Sequence, residues 1–418
     1  MNSRERVLKA LRHQEPDRVP LDSGGCSSTT IAALPYSQLK RLLGIEEGQV
    51  AVFDMVQQLA MVEQWYIDRF EVDVVDVTRV FCEDTSDWVD WELPDGTIAK
   101  APPWIRLERE DGGWVHRAED GTVLGRMPPG GYFFDQAYWP MADVGPEEYD
   151  NPSKYMHRTM WASMARPPMQ LSRTPEFPQL IGSAAKRLHE TTDYALLFTS
   201  GVSLFESAQF LHGTDNLLAD LVTDRQNILR LLDKLLEINL ANLERQLDAF
   251  GPYLDVLKIN DDLGMQNGPL ISPRLFREVF KPRYKVMYDL IKKKNPDMFI
   301  FLHSCGSIYP FLGDLVEIGL DIINPVQTTA KDMEPERLKR EFGSDLTFWG
   351  GGVDTQHVLP FGTPEEVALD VEEKVRIFAP GGGFVFNTSH NIAPGVPPEN
   401  ILSMFEAFKR VRDYPMGR

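Results

Sequence analysis

At residues 301–310 the chain reads FLHSCGSIYP: an apolar run stops at His303, and Cys305 follows two residues on. In an extended strand, residues i and i+2 project to one side. Imidazole and thiol would therefore leave the strand end together. Both are favoured zinc ligands. A third donor is expected from another strand end, and His390, which follows the apolar run GFVFNTS at 383–389, is the candidate. Two histidines and one thiolate leave a coordination position open, as in zinc sites that do chemistry. The spacing also admits a plainer reading, in which Cys305 is a small buried hydrophobe and His303 is hydrogen-bonded and inert.

Other strand ends carry polar groups. Asp261 and Asp262 follow DVLKIN, and Glu206 lies beyond ALLFTSG. These three carboxyls are candidates to position a substrate or move a proton. Asn324 and Gln327, in DIINPVQ, and Asp354, in the GGVDTQ loop, are candidates to bind a small polar substrate. Each could instead cap a following helix.

These residues need elements to hold them. Eight short apolar runs read as strands: 19–22, 72–77, 195–201, 255–261, 298–304, 321–327, 346–351 and 383–389. Several are almost continuously hydrophobic, as strands buried on both faces should be. Amphipathic segments lie between them. Residues 225–250 place Leu and Ile at helical spacing, 272–294 open Ser-Pro, and 363–379 open Thr-Pro-Glu-Glu. Repeated strand–helix alternation predicts α/β architecture with a parallel sheet, and eight units favour a (β/α)8 TIM barrel spanning 1–418 as one domain. No GxGxxG follows the first strand, which argues against a dinucleotide fold. Residues 86–135 break the rhythm with alternating patterns cut by PDG, DGG and EDG, predicting an antiparallel β meander inserted in the barrel. The aromatic loop GYFFDQAYWP, 131–140, is either a lid or an anchor for that insert.

Composition narrows the partners. With a formal charge of −19, neither nucleic acid nor an anionic membrane surface is expected to bind. The three cysteines Cys26, Cys82 and Cys305 are too few and too odd for a disulfide framework, so a reducing compartment is expected. The opening MNSRERVLKALRHQEPDR lacks the apolar core of a secretory leader, and no apolar run nears the ~20 residues of a membrane helix. The expectation is a cytoplasmic protein.

Four stretches together resemble the uroporphyrinogen decarboxylase superfamily from end to end: RERVLKALRHQEPDRVP, FLHSCG, GGVDTQ and GGGFVFNTSHNIAPGVPPENI. The resemblance implies a (β/α)8 barrel and one of two chemistries. True decarboxylases carry an arginine-rich RQAGR-like stretch after the N-terminal VP, which binds the substrate carboxylates. Here the stretch is VPLDSGGCSSTT, without arginine, and Val80 stands where the decarboxylases have an aspartate. The other branch comprises zinc- and cobalamin-linked methyltransferases, including proteins of corrinoid-dependent O-demethylase systems. His303 and Cys305 match its zinc ligands at HxCG. Its third ligand is often a cysteine, and His390 here suits a harder oxygen ligand such as a methyl ether. The resemblance thus implies a Zn2+-dependent methyltransferase acting between a small methylated, methoxy-type substrate and a corrinoid (cobalamin). That corrinoid would ride on a separate carrier protein, because the chain shows no corrinoid-binding module. A homodimer is plausible on the same ground. The alternatives are a decarboxylase of a small acidic substrate, or a non-catalytic protein that binds a corrinoid or tetrapyrrole.

Overall fold

Burial on both faces requires strands that run as uninterrupted apolar segments, and seven of the eight expected runs form such strands. The computed structural model describes residues 1–416. Its central sheet comprises β1 Val74–Asp76, β2 Ala195–Thr199, β3 Val256–Asn260, β4 Phe299–His303, β5 Ile322–Asn324, β6 Thr347–Trp349 and β7 Phe384–Val385. All are parallel and pair in chain order, giving a curled, TIM-like sheet.

The eighth run, 19–22, is not a regular strand. Pro20 has no N–H to give, and the Leu21 N–H goes to the Asp73 carboxylate at 2.9 Å. The segment still lies between the two sheet edges. Leu21 O accepts from Asp73 N at 2.8 Å, Pro20 O accepts from Phe386 N, and Asp22 N donates to Phe386 O, both at 2.9 Å.

Alternation along the strands decides what faces the axis. Val74, Leu197, Val256, Phe301, Ile322 and Trp349 pack together there. The same parity turns Asp76, Thr199, Asn260, His303 and Asn324 inward at the C-terminal strand ends.

The helix expected at 225–250 is Arg225–Phe250. It fixes the loop after β2: Asn239 Nδ2 donates to Ser203 O at 2.8 Å, and Gln246 Nε2 donates to Ser200 O at 2.9 Å. Residues 272–294 do not form one regular helix. Ser272 caps the start, a π-helical turn spans Phe276–Phe280, and Lys281–Lys294 continues. Pro282 has no N–H for the α ladder, and the widened turn absorbs that loss. The helix Pro364–Phe378 starts with a Thr363/Glu366 capping box.

The antiparallel segment expected at 86–135 takes the form of two separate sheets. Val89–Glu92 pairs with Ile98–Ala101, while Leu107–Glu110, Gly113–Arg117, Val123–Met127 and Asp135–Gln136 form the other. A further antiparallel sheet was not foreseen: Ile31–Ala32, Leu59–Ala60 and Val52–Asp54. Strands of two or three residues are too short to show a period. This sheet meets the loop after β7, where Ala32 N donates to Ile392 O and Ile392 N to Thr30 O, each at 2.9 Å. Among the described residues no helix is long and apolar enough to cross a membrane.

Candidate metal centre

β4 ends at His303, and the chain then turns. Ser304 N donates to Asn324 O at 2.8 Å, Cys305 N to Asp262 Oδ1 at 2.7 Å, Gly306 N to Gln327 Oε1 at 3.0 Å, and Ser307 N to Met265 O at 2.8 Å. Cys305 therefore reaches the site from a side-chain-held turn, not from strand alternation as expected. Gly306 has φ +79°, and a Cβ there would stand 2.6 Å from the Gly264 carbonyl carbon, so only glycine fits. His390 arrives on the loop after β7. One donor atom from each of His303, Cys305 and His390 lies within 4.8 Å of the others. Cys305 Sγ is 3.5 Å from His303 Nε2, and the two imidazole centroids are 5.4 Å apart.

Asn324 decides which imidazole nitrogen is available. Its Nδ2 donates to Trp349 O at 2.8 Å, which turns its Oδ1 toward His303 Nδ1 at 2.5 Å. An amide oxygen only accepts, so Nδ1 carries the proton and Nε2 keeps its lone pair on the Cys305 side. This is the tautomer a metal needs, oriented by a residue behind the ligand. Asn324 is fully buried with its amide committed on both sides, and it holds His303 from behind. Asn324→Ala should lower zinc affinity about 10–100-fold while the protein stays folded; competition against a chromogenic chelator measures this.

Burial, with help from Lys258, keeps both imidazoles neutral: His303 is held well below its ordinary range and His390 is lowered to about 4. Burial and the neighbouring Asp262 carboxylate push the Cys305 thiol well above its usual range. Two imidazoles are thus ready to coordinate, and the thiol has a proton to give up to a divalent cation. Lys258, not singled out in the sequence, is fully buried on β3, where its Nζ donates to Ser28 Oγ and lies 3.4 Å from Cys26 Sγ. A lysine inside an apolar strand run was the available signal.

The remaining candidates divide. Asp261 is fully buried and accepts from Leu204 N (2.8 Å), Glu206 N (2.7 Å) and Tyr284 Oη (2.8 Å). Burial raises its carboxyl to about 7 against these donors, and the carboxylate caps the loop after β2. Asp262 faces the cluster, with Oδ1 4.0 Å from His303 Nε2. Glu206 stands close enough for Asp262 to raise its carboxyl further, beyond the effect of burial. Gln327 is engaged by Gly306 N and by Gln266, to which its Nε2 donates at 2.7 Å. Asp354 accepts from Gln356 N (2.7 Å) and His357 N (3.1 Å). Both shape turns beside the strand ends.

A cleft of about 110 Å³ opens beside His390, walled by Ala32, Leu59, Ile392, Pro394 and Phe133, with Gln57 at its edge. Phe133 belongs to the aromatic loop, so the insert reaches the site. A larger concavity of about 500 Å³, bounded by Leu8, Arg12, His189 and Asp255, lies at the opposite end of the strands. Its Lys294 is already paired with Glu244 and Asp248, and barrel enzymes place their chemistry at the C-terminal strand ends. The cleft beside His390 is therefore the relevant one.

A TIM-like parallel sheet with its reactive side chains gathered at the C-terminal strand ends is the architecture of barrel enzymes. The chain belongs to the uroporphyrinogen decarboxylase family: the model described as "Uroporphyrinogen decarboxylase (URO-D)" matches residues 152–411. It is 32% identical over 143 residues to a uroporphyrinogen decarboxylase of Synechococcus sp. (strain CC9605), covering 34% of this chain and 38% of that protein. It is 31% identical over 146 residues to one of Hordeum vulgare, covering 34% and 40%. The chain thus spans about two-fifths of the length of these curated relatives. A solved structure titled methyltransferase from Methanosarcina mazei has the same fold, with a TM-score of 0.58, 15% identity, and coverage of 98% of this chain and 99% of that one.

Proposed function

We propose that the protein is a zinc-dependent methyltransferase that moves a methyl group between a small methylated, methoxy-type substrate and a corrinoid held by a separate carrier protein. The observation that carries this reading is the convergence of His303, Cys305 and His390 within 4.8 Å at the C-terminal end of the sheet. The donor set and the fixed His303 tautomer fit a zinc ion. Such an ion, when bound, supplies Lewis acidity to the heteroatom that carries the methyl group. The chain's own residues do the rest. Asn324 orients His303, and Asp262 holds the Cys305 turn. Glu206 and Asp262, both shifted toward the protonated form, hold a proton for the departing heteroatom. Phe133, Leu59 and Ile392 give the cleft an apolar wall for the methyl-bearing end of the substrate.

A methyl-transfer assay tests this, with reduced cobalamin as acceptor and methoxylated small molecules as donors. Methylcobalamin formation that depends on zinc and is lost in Glu206→Gln together with Asp262→Asn supports the reading. A zinc-loaded, folded enzyme inactive toward every donor and in the reverse direction counts against it.

A decarboxylase is the second reading, favoured by the identity to uroporphyrinogen decarboxylases. Among residues 19–30, VPLDSGGCSSTT, no arginine is present to hold a polycarboxylate. Carbon dioxide release from an acidic substrate by zinc-free protein would establish that alternative.

A further inference from the structure

The barrel mouth holds a second set of polar groups that the metal centre does not use. Asp76, at the end of β1, is 2% exposed. Its Oδ1 accepts from Thr78 N at 2.7 Å and Thr78 Oγ1 at 2.8 Å, and its Oδ2 has no partner within the protein. Thr199, at the end of β2, is 4% exposed with its Oγ1 unpartnered. At the end of β3 the buried Asn260 Oδ1 is unpartnered too. β3 pairs with β4, which carries His303, β2 and β1 follow in order, and all three side chains share the inward parity of His303. Arg166 faces them. Its charge offsets the burial of Asp76 and Asp54, yet its buried Nη1 has no hydrogen-bond partner. Native proteins rarely leave such groups unpaired without a use.

Asp54 ties this set to the cleft beside His390. Its Oδ1 accepts from Gln57 N at 3.0 Å, and Gln57 lines that cleft.

We infer that Asp76, Thr199, Asn260 and Arg166 form a subsite for the non-reacting end of the substrate, and that this end carries a hydroxyl or amino group. Which end reacts rests on the methyl-transfer reading; the recognition does not. The open valences set the chemistry. Asp76 Oδ2 accepts only, Asn260 Oδ1 accepts, Thr199 Oγ1 can do either, and Arg166 Nη1 donates only. A ligand offering only ether oxygens satisfies Arg166 but leaves Asp76 and Asn260 unpaired. A hydroxyl or amino group donates to Asp76 and accepts from Thr199 or Arg166 through the same atom. A site built around such a group discriminates strongly against the analogue that lacks it.

The test is equilibrium binding to the full chain by ligand-observed NMR, without zinc or corrinoid. Two matched pairs serve as probes: 2-methoxyphenol against 1,2-dimethoxybenzene, and 2-methoxyethanol against 1,2-dimethoxyethane. In at least one pair the hydroxyl-bearing member should bind about tenfold tighter or more. Asp76→Asn keeps the acceptor for Thr78 but sets a donor where Oδ2 stood, and should bring the ratio to within about twofold. Asn260→Leu reads the same ratio should Asp76→Asn fail to fold. Equal affinities in both pairs, no binding of any probe, or a preference that survives in folded Asp76→Asn overturns the assignment. Failure of methyl transfer leaves these ratios untouched, so the two readings fail separately.

Discussion

Purified wild-type protein should hold about one zinc ion per chain, and His303→Ala and Cys305→Ala should hold almost none. Elemental mass spectrometry reads this directly. The donors come from two places in the fold, the end of β4 and the loop after β7, so losing one leaves too few to retain the ion. If the ion contributes several kcal/mol to the transition state, each substitution should lower methyl transfer by about 10²–10³-fold or more. Cys26→Ala and Cys82→Ala should keep the metal, because both thiols are buried outside the cluster. The ionisation of the ligands adds a signature. His390 is neutral above about pH 4, and His303 is likewise held neutral by burial, whereas the Cys305 thiol is held protonated. Zinc uptake near pH 7 should therefore release about one proton, from Cys305, and affinity should rise with pH. Calorimetry in buffers of different ionisation enthalpy measures that proton. A folded wild type that stays metal-free when zinc is supplied would remove the basis of the proposed function.

The strand pattern was readable because buried parallel strands are short apolar runs between turn residues. It failed where local chemistry overrides the ladder. Pro20 cannot donate, and the Leu21 N–H is taken by a carboxylate, so 19–22 occupies its place in the ring without regular pairing. Pro282 likewise breaks the helical period that 272–294 suggests. His303, Cys305 and His390 were legible because strand ends in such a fold converge. The roles of Asp261, Asn324, Gln327 and Asp354 were not. Polar residues at strand ends serve either a ligand or the backbone N–H groups of the next turn, and the sequence does not show which turns need them. Lys258, Asp76 and Arg166 were passed over for a related reason. Lys258 meets Ser28 across 230 positions, and Arg166 comes near Asp76 from a segment 90 residues further along the chain.

Asp73→Ala should destabilise the protein by about 3–5 kcal/mol, the cost typical of stripping one partner from a buried ion pair. Asp73 is fully buried and accepts from Ser3 Oγ (2.8 Å), Arg6 Nη1 (2.7 Å), Arg18 Nη1 (2.8 Å) and Leu21 N (2.9 Å). Without it Arg18 loses its carboxylate, Arg6 keeps Asp17 and the Met1 carbonyl, and a buried backbone N–H is orphaned. The effect should reach the metal centre along defined bonds. Asp73 fixes Leu21, and the next residue, Asp22, accepts from Trp349 Nε1 at 2.8 Å. Trp349 O in turn accepts from Asn324 Nδ2, and Asn324 orients His303. Asp73→Ala should therefore weaken zinc binding as well as stability, although Asp73 touches no ligand. Asp17→Ala is the control. Asp17 pairs with the same Arg6, but its side chain is 43% exposed, so the loss should stay below about 1 kcal/mol with zinc affinity unchanged. Urea unfolding and zinc competition on both variants separate the cases. If Asp73→Ala unfolds within about 1 kcal/mol of wild type, the buried charges do not hold the segment 20–22 in the ring. If it is destabilised but binds zinc normally, the relay through Trp349 and Asn324 carries no coupling.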